Sequence, residues 1–342
     1  MRGFKKLILV LSTGYILMFY SELIFWSRYR PDEDSIGGYL TTWLVYSFIS
    51  FAFLTAVNVF KVRSIWAVFL CGALYGWLTE GVIVGTMYNY EAFPFYISWT
   101  GLAWHALISV LFGFYYVRKV LLKNSPFKTV CLAGAIGLFW GLWAVFWWVE
   151  EPGTSPGLLG FALFAFSSSL PLIVAYWLCE RLSDTSFSQR KWELYVVTLL
   201  FVSYFLFLTL PAVPVAALVL PPLMLLLYLS LSRNRRVETR SNILESLAGS
   251  VRLQNYLFLW FAPFVAVVVY GFLLFLNVKV HTNIFVAAIT TPIGAILFVI
   301  SVVMIFKTRP QKYSYFPTTK HVHVKNPEEP GFTQSASNKK EC

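Results

Sequence analysis

Three ionisable side chains interrupt long apolar stretches of the sequence: Glu22, Glu80 and His105. A charged side chain in hydrocarbon costs at least about 3 kcal/mol, so such groups are usually neutral, paired or turned toward a cavity that the protein uses. Carboxyl and imidazole groups act as general acids and bases, and both are ligands for zinc or manganese. We therefore predict Glu80, His105 and Glu22 as catalytic residues, or as the ligands of a divalent metal cofactor.

The composition places these side chains in a membrane protein. Hydrophobic residues make up 58% of the 342 residues and charged residues 13%, with a mean hydropathy of +0.67. Because a helix needs about 20 apolar residues to cross roughly 30 Å of hydrocarbon, the sequence predicts an all-α, polytopic membrane bundle of about ten helices. The predicted spans are 7–26, 39–60, 65–87, 97–117, 129–149, 158–178, 194–210, 213–231, 256–276 and 284–306.

The first span, and the division between the seventh and eighth, affect the predicted topology. The first follows a basic start, as in a signal peptide, but no small-x-small cleavage site comes after it, so we predict that it is retained. The seventh and eighth are joined only by Pro-Ala-Val-Pro at 211–214. If they were one span, the orientation of everything downstream would be inverted.

The distribution of charge predicts the orientation of the bundle. If the N-terminus is inside, all but three of the 27 Lys and Arg residues fall in cytoplasmic segments. The three exceptions are Arg28, Arg30 and Lys279. Cytoplasmic loops are enriched in these residues, so we predict a plasma membrane protein with both termini in the cytoplasm. The net charge of +11 then reflects topology and does not indicate a nucleic-acid partner.

Outside the spans, two cytoplasmic segments stand out. The loop 232–255 contains a predicted short amphipathic helix at 242–253, lying on the membrane surface. Residues 307–342 are polar and are predicted to be a disordered tail.

Depth and helical spacing place the three ionisable residues near one another. Glu22 and Glu80 each lie about 15 residues into an inside-to-outside helix, or roughly 22 Å across the membrane, and His105 lies about eight residues from the outer end of its helix. Gly72, Gly76 and Glu80 follow at i+4 steps, a pattern that lets helices approach closely. We expect spans one, three, four and five to surround an outward-facing cavity containing these side chains.

Aromatic side chains accompany this site. Tyr15 shares a stripe with Glu22 on the first span, and Trp143 shares one with Glu150 on the fifth. The residues predicted to bind substrate are Tyr15, Trp77, Trp104, Trp143 and Glu150. Such surroundings suit a lipid-linked or sugar-bearing substrate, although aromatic residues in membrane helices also serve packing or form an interfacial belt.

The two halves of the membrane domain, 1–306, differ in polarity. Residues 1–151 hold the polar site, whereas 152–306 are predicted to form a mostly apolar scaffold. Spans seven to ten carry no acidic, basic or histidine side chain within the hydrocarbon, so we expect them to contact membrane lipid or a protein partner.

Sequence motifs leave three function classes open. Glu80 is followed by Gly-Val-Ile-Val and His105 by Ala-Leu-Ile-Ser, so neither fits the glutamate or HExxH patterns of intramembrane proteases. The first class is a membrane-embedded enzyme acting on a lipid-linked or extracytoplasmic substrate. The alternatives are a proton-coupled small-molecule transporter and a structural or assembly protein.

Overall fold

The computed structural model describes residues 2–30, 35–153, 155–182, 187–237 and 242–308. The chain is all-helical, with 84% helix and no strand in the described ranges. Ten helices of this part of the chain are long and apolar enough to cross a membrane: α1 (Gly3–Trp26), α2 (Ile36–Val59), α3 (Ile65–Ile83), α4 (Phe95–Leu122), α5 (Pro126–Glu150), α6 (Leu158–Leu182), α7 (Lys191–Ala212), α8 (Ala216–Arg236), α9 (Leu253–Phe275) and α10 (Thr282–Lys307). Each predicted span therefore corresponds to one helix of sufficient length and apolarity, and the predicted tail lies outside the described residues from 309 onward.

The seventh and eighth spans are two helices. α7 ends at Ala212 and α8 begins at Ala216. Proline at 211 and 214 explains the break, because proline lacks an N–H and also restricts the residue before it.

The bundle is built around α4. This helix contacts α1, α3 and α10, while α1 also packs against α2 and α6, and α5 runs along α9. In α1 and α3, 78% of the most apolar window is buried, against 11% in α7. The helices predicted to carry the site are therefore central, and α7 is peripheral.

The connections define two ends of the bundle. Those that follow α1, α3, α5, α7 and α9 form what we call the acidic end, and those that follow α2, α4, α6 and α8 form the basic end. The names reflect where the sequence concentrates each charge.

Several helices contain π-helical segments, in which backbone bonds run from residue i to i+5. They are Phe19–Leu23 in α1, Thr79–Ile83 in α3, Trp99–Tyr116 in α4 and Phe205–Thr209 in α7. The Val84 N–H, for example, donates to the Thr79 carbonyl at 2.9 Å. Such segments rotate the following residues away from their regular helical positions and are frequent at functional sites.

The loop between α8 and α9 differs from its predicted form. Within 242–253, helix is limited to Ile243–Ser246 and to the start of α9 at Leu253, and Ile243, Leu244 and Leu247 are buried in the protein. The predicted surface helix is therefore wrong. Gly249 disfavours helix continuation by about 1 kcal/mol, and the Ile243 N–H donates to the Val62 carbonyl at 2.7 Å, which attaches the loop to the bundle.

Candidate acid–base site in the membrane core

The centre of the site is a hydrogen bond between Glu80 of α3 and His105 of α4. His105 Nε2 lies 2.7 Å from Glu80 Oε1, and both side chains are at least nine-tenths buried. The other carboxyl oxygen of Glu80 accepts a hydrogen bond from the Thr86 hydroxyl. Both oxygens of this buried carboxyl group thus have a partner.

Glycine at position 76 allows the two helices to approach each other. A Cβ atom at Gly76 would overlap the Gly101 carbonyl and lie 2.9 Å from His105 Cβ. Since real Cβ contacts are longer, a larger residue would push α4 away from α3 and His105 away from Glu80. The small-residue spacing in the sequence therefore corresponds to the contact that brings the pair together.

A chain of hydroxyl groups holds the other face of His105. Its Nδ1 lies 2.9 Å from Ser21 Oγ, Ser21 donates to Ser109 Oγ at 2.9 Å, and Ser109 donates to the Trp104 carbonyl. Ser21 Oγ also lies 3.1 Å from the Tyr75 hydroxyl, where either oxygen can donate. Both ring nitrogens of His105 therefore have a hydrogen-bonding partner, Ser21 at Nδ1 and Glu80 at Nε2.

Glu22 occupies a separate position on α1. Its Oε1 accepts from the Tyr46 hydroxyl at 2.7 Å and its Oε2 from Trp26 Nε1 at 2.8 Å. Glu22 is therefore held by neutral donors, and Ser21, its neighbour in sequence, supplies the link to His105.

One cavity brings these groups together. It has a volume of about 610 Å³ and is bordered by Glu22, Glu80, His105, Trp104 and Trp143. Residues from the acidic-end connections, among them Arg30 and Asn89, also contribute to its lining. The cavity therefore lies in the half of the bundle nearer the acidic end.

The two tryptophans form a fixed aromatic wall. Trp104 Nε1 donates to the Ser21 carbonyl at 3.0 Å, and Trp143 Nε1 donates to the Phe25 carbonyl at 2.7 Å. Their ring centroids are 4.5 Å apart. Because both indole N–H groups are used within the protein, a bound molecule meets only the ring surfaces.

Three residues predicted to bind substrate lie away from the cavity lining. The buried Tyr15 hydroxyl donates to the Ser168 carbonyl at 2.8 Å, and buried Trp77 donates from Nε1 to the Ile97 carbonyl at 3.1 Å. Glu150 lies at the acidic end and accepts from Asn283 Nδ2 at 3.1 Å. Tyr15 precedes the π-helical segment of α1, so it does not keep the regular helical relation to Glu22 that the spacing implied.

Other cavity residues were not singled out from the sequence. Asn283, Ile284 and Ala287 of α10 belong to the lining, although 152–306 was expected to be a scaffold apart from the site. Ser98 Oγ donates to the Thr291 carbonyl at 2.8 Å and attaches α10 to α4. No spacing in α10 indicates this contact.

A second buried pair lies elsewhere in the bundle, in the last turns of α4 and α6 at the basic end. Arg118 Nε donates to Glu180 Oε1 at 2.8 Å, and the exposed fractions of the two side chains are 0% and 3%. Arg118 also donates to the Leu247 carbonyl at 3.3 Å. The sequence placed Arg118 among the cytoplasmic loop charges because a helix end cannot be distinguished from a loop by composition.

The predicted divalent metal finds no support in the arrangement. Across the described ranges, no group of three or more His, Cys, Asp and Glu side chains is arranged to hold a metal ion. Glu22 instead accepts from an indole N–H and a tyrosine hydroxyl. Glu80 is hydrogen-bonded to a threonine hydroxyl and to His105.

The ten helices and this site define the class of the molecule: a multi-pass membrane protein with a buried carboxyl–imidazole pair in the wall of a cavity. No protein-family model, curated protein or solved structure matches the chain.

Proposed function

We propose that this protein is a membrane-embedded enzyme in which Glu80 and His105 act as a general acid–base pair on a lipid-linked or extracytoplasmic substrate. The observation that carries the proposal is the 2.7 Å hydrogen bond between the two side chains in the cavity wall. A carboxyl and an imidazole that share a proton can give it to a substrate or take one from it, a contribution of about 100- to 10,000-fold in rate.

The cavity supports an amphipathic substrate. Its volume of about 610 Å³ falls within the roughly 300–1,000 Å³ of small-molecule sites. Trp104 and Trp143 offer ring surfaces, whereas Asn89 and Asn283 offer amide groups nearer the acidic end. An apolar portion would lie against the indoles while a polar portion meets the amides.

Glu22 acts beside the pair as a binding group. Its two hydrogen bonds from Tyr46 and Trp26 fix the carboxyl orientation. A fixed carboxyl can accept a hydrogen bond from a substrate hydroxyl or amine without moving, which reduces the cost of binding.

A proton-coupled carrier is the second candidate, since the same pair can relay a proton. Transporter sites are found near the midplane, between repeats. Here the cavity is displaced toward the acidic end, and below His105 the core is closed by packed rings such as Phe53 and Phe114, 5.3 Å apart. One-sided access favours the enzyme.

Cells expressing wild type and Glu80→Gln test the function directly. The glutamine side chain has nearly the same size as glutamate but cannot release a proton, so the product should disappear and its precursor should accumulate. The measurement is mass spectrometry of lipid extracts and of solutes in the medium. Glu91→Gln is the matched control because Glu91 is exposed at the same end. Identical profiles for wild type and a folded Glu80→Gln protein would refute the proposal that the protein is an enzyme. If Glu80→Gln abolished only proton-driven uptake of a solute, the result would favour the carrier.

For the orientation, we propose cytoplasmic termini in a plasma membrane, supported by the charge distribution. In a cysteine-free background, Glu91→Cys and Lys279→Cys should react with an impermeant maleimide on intact cells. Lys123→Cys and Arg236→Cys should react only after the membrane is opened. Labelling of position 236 from outside would contradict the proposed orientation.

A further inference from the structure

A second, larger cavity lies between α2, α3, α7 and α8. It is a groove of about 1070 Å³ with an apolar lining that includes Phe51, Leu78, Phe201 and Met224. The acid–base site is on the other side of α3 and shares none of its lining residues with this groove. The groove is therefore an independent feature of the fold.

The groove runs lengthwise along the helices. On α8 its lining extends from Leu220 to Arg236, which at 1.5 Å per residue is about 24 Å. One leaflet of hydrocarbon is roughly 15 Å thick. The groove is thus long enough for an acyl chain together with the polar region above it.

Positive charge marks one end of the groove. Arg235 and Arg236, at the basic end of α8, belong to its lining and are exposed. The other lining residues carry no charge, and their only polar side-chain groups are hydroxyls. A molecule that matches this lining has a long apolar part and an anionic group at one end. That is the chemistry of an anionic membrane lipid.

A buried hydroxyl adds a second polar contact below the arginines. Thr55 of α2 lines the groove, is 5% exposed, and its Oγ1 has no hydrogen-bond partner in the described structure. It lies about 6 Å, or four residues, from Val59 at the basic end of α2. Leaving a buried hydroxyl unpaired is unfavourable, and an ester carbonyl at this depth would accept its hydrogen once the side chain rotates toward the groove.

We infer that the groove binds one anionic glycerophospholipid, with its phosphate at Arg235 and Arg236, an ester carbonyl near Thr55 and an acyl chain along α8. The chain's own tail fits poorly, because residues 307–325 are polar and include Lys307, Lys312 and Lys320, which the arginines repel. A lipid combines the apolar length and the negative charge that the lining requires.

Native mass spectrometry of the full chain in detergent tests this inference. The probes are dioleoylphosphatidylglycerol and dioleoylphosphatidylcholine, which carry the same acyl chains but differ in headgroup charge. The wild type should bind the glycerol lipid more tightly. The double variant Arg235→Gln/Arg236→Gln should weaken that binding by roughly 30-fold, at the strength expected for two arginines near a membrane surface. It should weaken binding of the choline lipid less, because the ammonium group of that lipid offsets the charge of its phosphate.

Two matched controls separate the groove from general surface charge. Lys123→Gln/Lys128→Gln removes the same charge from exposed positions at the same end and should leave binding unchanged. Thr198→Trp fills the groove from α7 and should weaken binding of the glycerol lipid, whereas Leu199→Trp, outside the lining, should not. Equal binding of both lipids by the wild type, equal effects of the lysine and arginine pairs, or no effect of Thr198→Trp would each overturn the inference. The readout does not involve Glu80, so it is independent of the enzyme proposal.

Discussion

Replacing Arg118 by Met should lower the free energy of unfolding by about 3–5 kcal/mol, because it leaves the Glu180 carboxylate buried without its cation. Nε and Oε1 are 2.8 Å apart, and both side chains are almost fully buried. The same change also removes the hydrogen bond to the Leu247 carbonyl, which attaches the loop after α8. Reversible unfolding in mixed micelles, followed by tryptophan fluorescence, measures the loss.

Two further variants test whether the loss of stability in Arg118→Met comes from the buried, unpaired charge of Glu180. Lys119→Met changes the neighbouring exposed residue and should shift stability by less than about 0.5 kcal/mol. Arg118→Met/Glu180→Leu removes both charges and should recover most of the loss, since buried ion pairs are often replaceable by apolar side chains. If Arg118→Met costs no more than Lys119→Met, the pair does not stabilise the bundle.

The reaction identified through the lipid and solute profiles should depend on Glu80 and His105 as one unit. Glu80→Gln and His105→Gln should each reduce the rate by about 100- to 10,000-fold. The double variant should be no slower than the slower single variant, because residues that act as a unit are strongly non-additive. Rates of all four proteins, reconstituted in the same lipid, provide this comparison.

Conservative replacement distinguishes proton transfer from a purely structural role. Glu80→Asp retains a protonatable carboxyl group and should keep measurable activity with a pH-dependent rate, whereas the residual rate of Glu80→Gln should no longer follow that pH dependence. Additive losses in the double variant, with the same pH profile in every protein, would refute the acid–base pair.

The sequence predicts the ten helices well because the bilayer sets the length of each span. Even α7 and α8, which are separated only by residues 213–215, appear as two apolar runs of sufficient length. The hydrophobic requirement acts on each span alone, so no knowledge of its neighbours is needed. The folding of residues 242–252 beneath the bundle depends on such neighbours and was missed.

The sequence predicts the site correctly where small residues determine the packing of helices. The prediction fails where the helix periodicity changes. Gly72 and Gly76 mark the approach of α3 to α4, and depth places Glu80 and His105 at similar levels. Tyr15 shows the limit, because a regular helix would give it the face of Glu22, whereas the chain inserts a π-helical segment at Phe19–Leu23. The contribution of Asn283 depends on how α10 packs, for which its own sequence gives no pattern.

The peripheral helix α7 is joined to the segment that carries Glu80. The Thr209 hydroxyl donates to the Val82 carbonyl at 2.5 Å, and the Tyr204 hydroxyl donates to the Ile83 carbonyl at 3.2 Å. Val82 also lines the groove, so the thickness of α3 alone separates the groove from the acid–base pair. A movement of α7 away from α3 would stretch or break these two bonds within one turn of Glu80, so the packing of this peripheral helix is linked to the backbone that positions the pair.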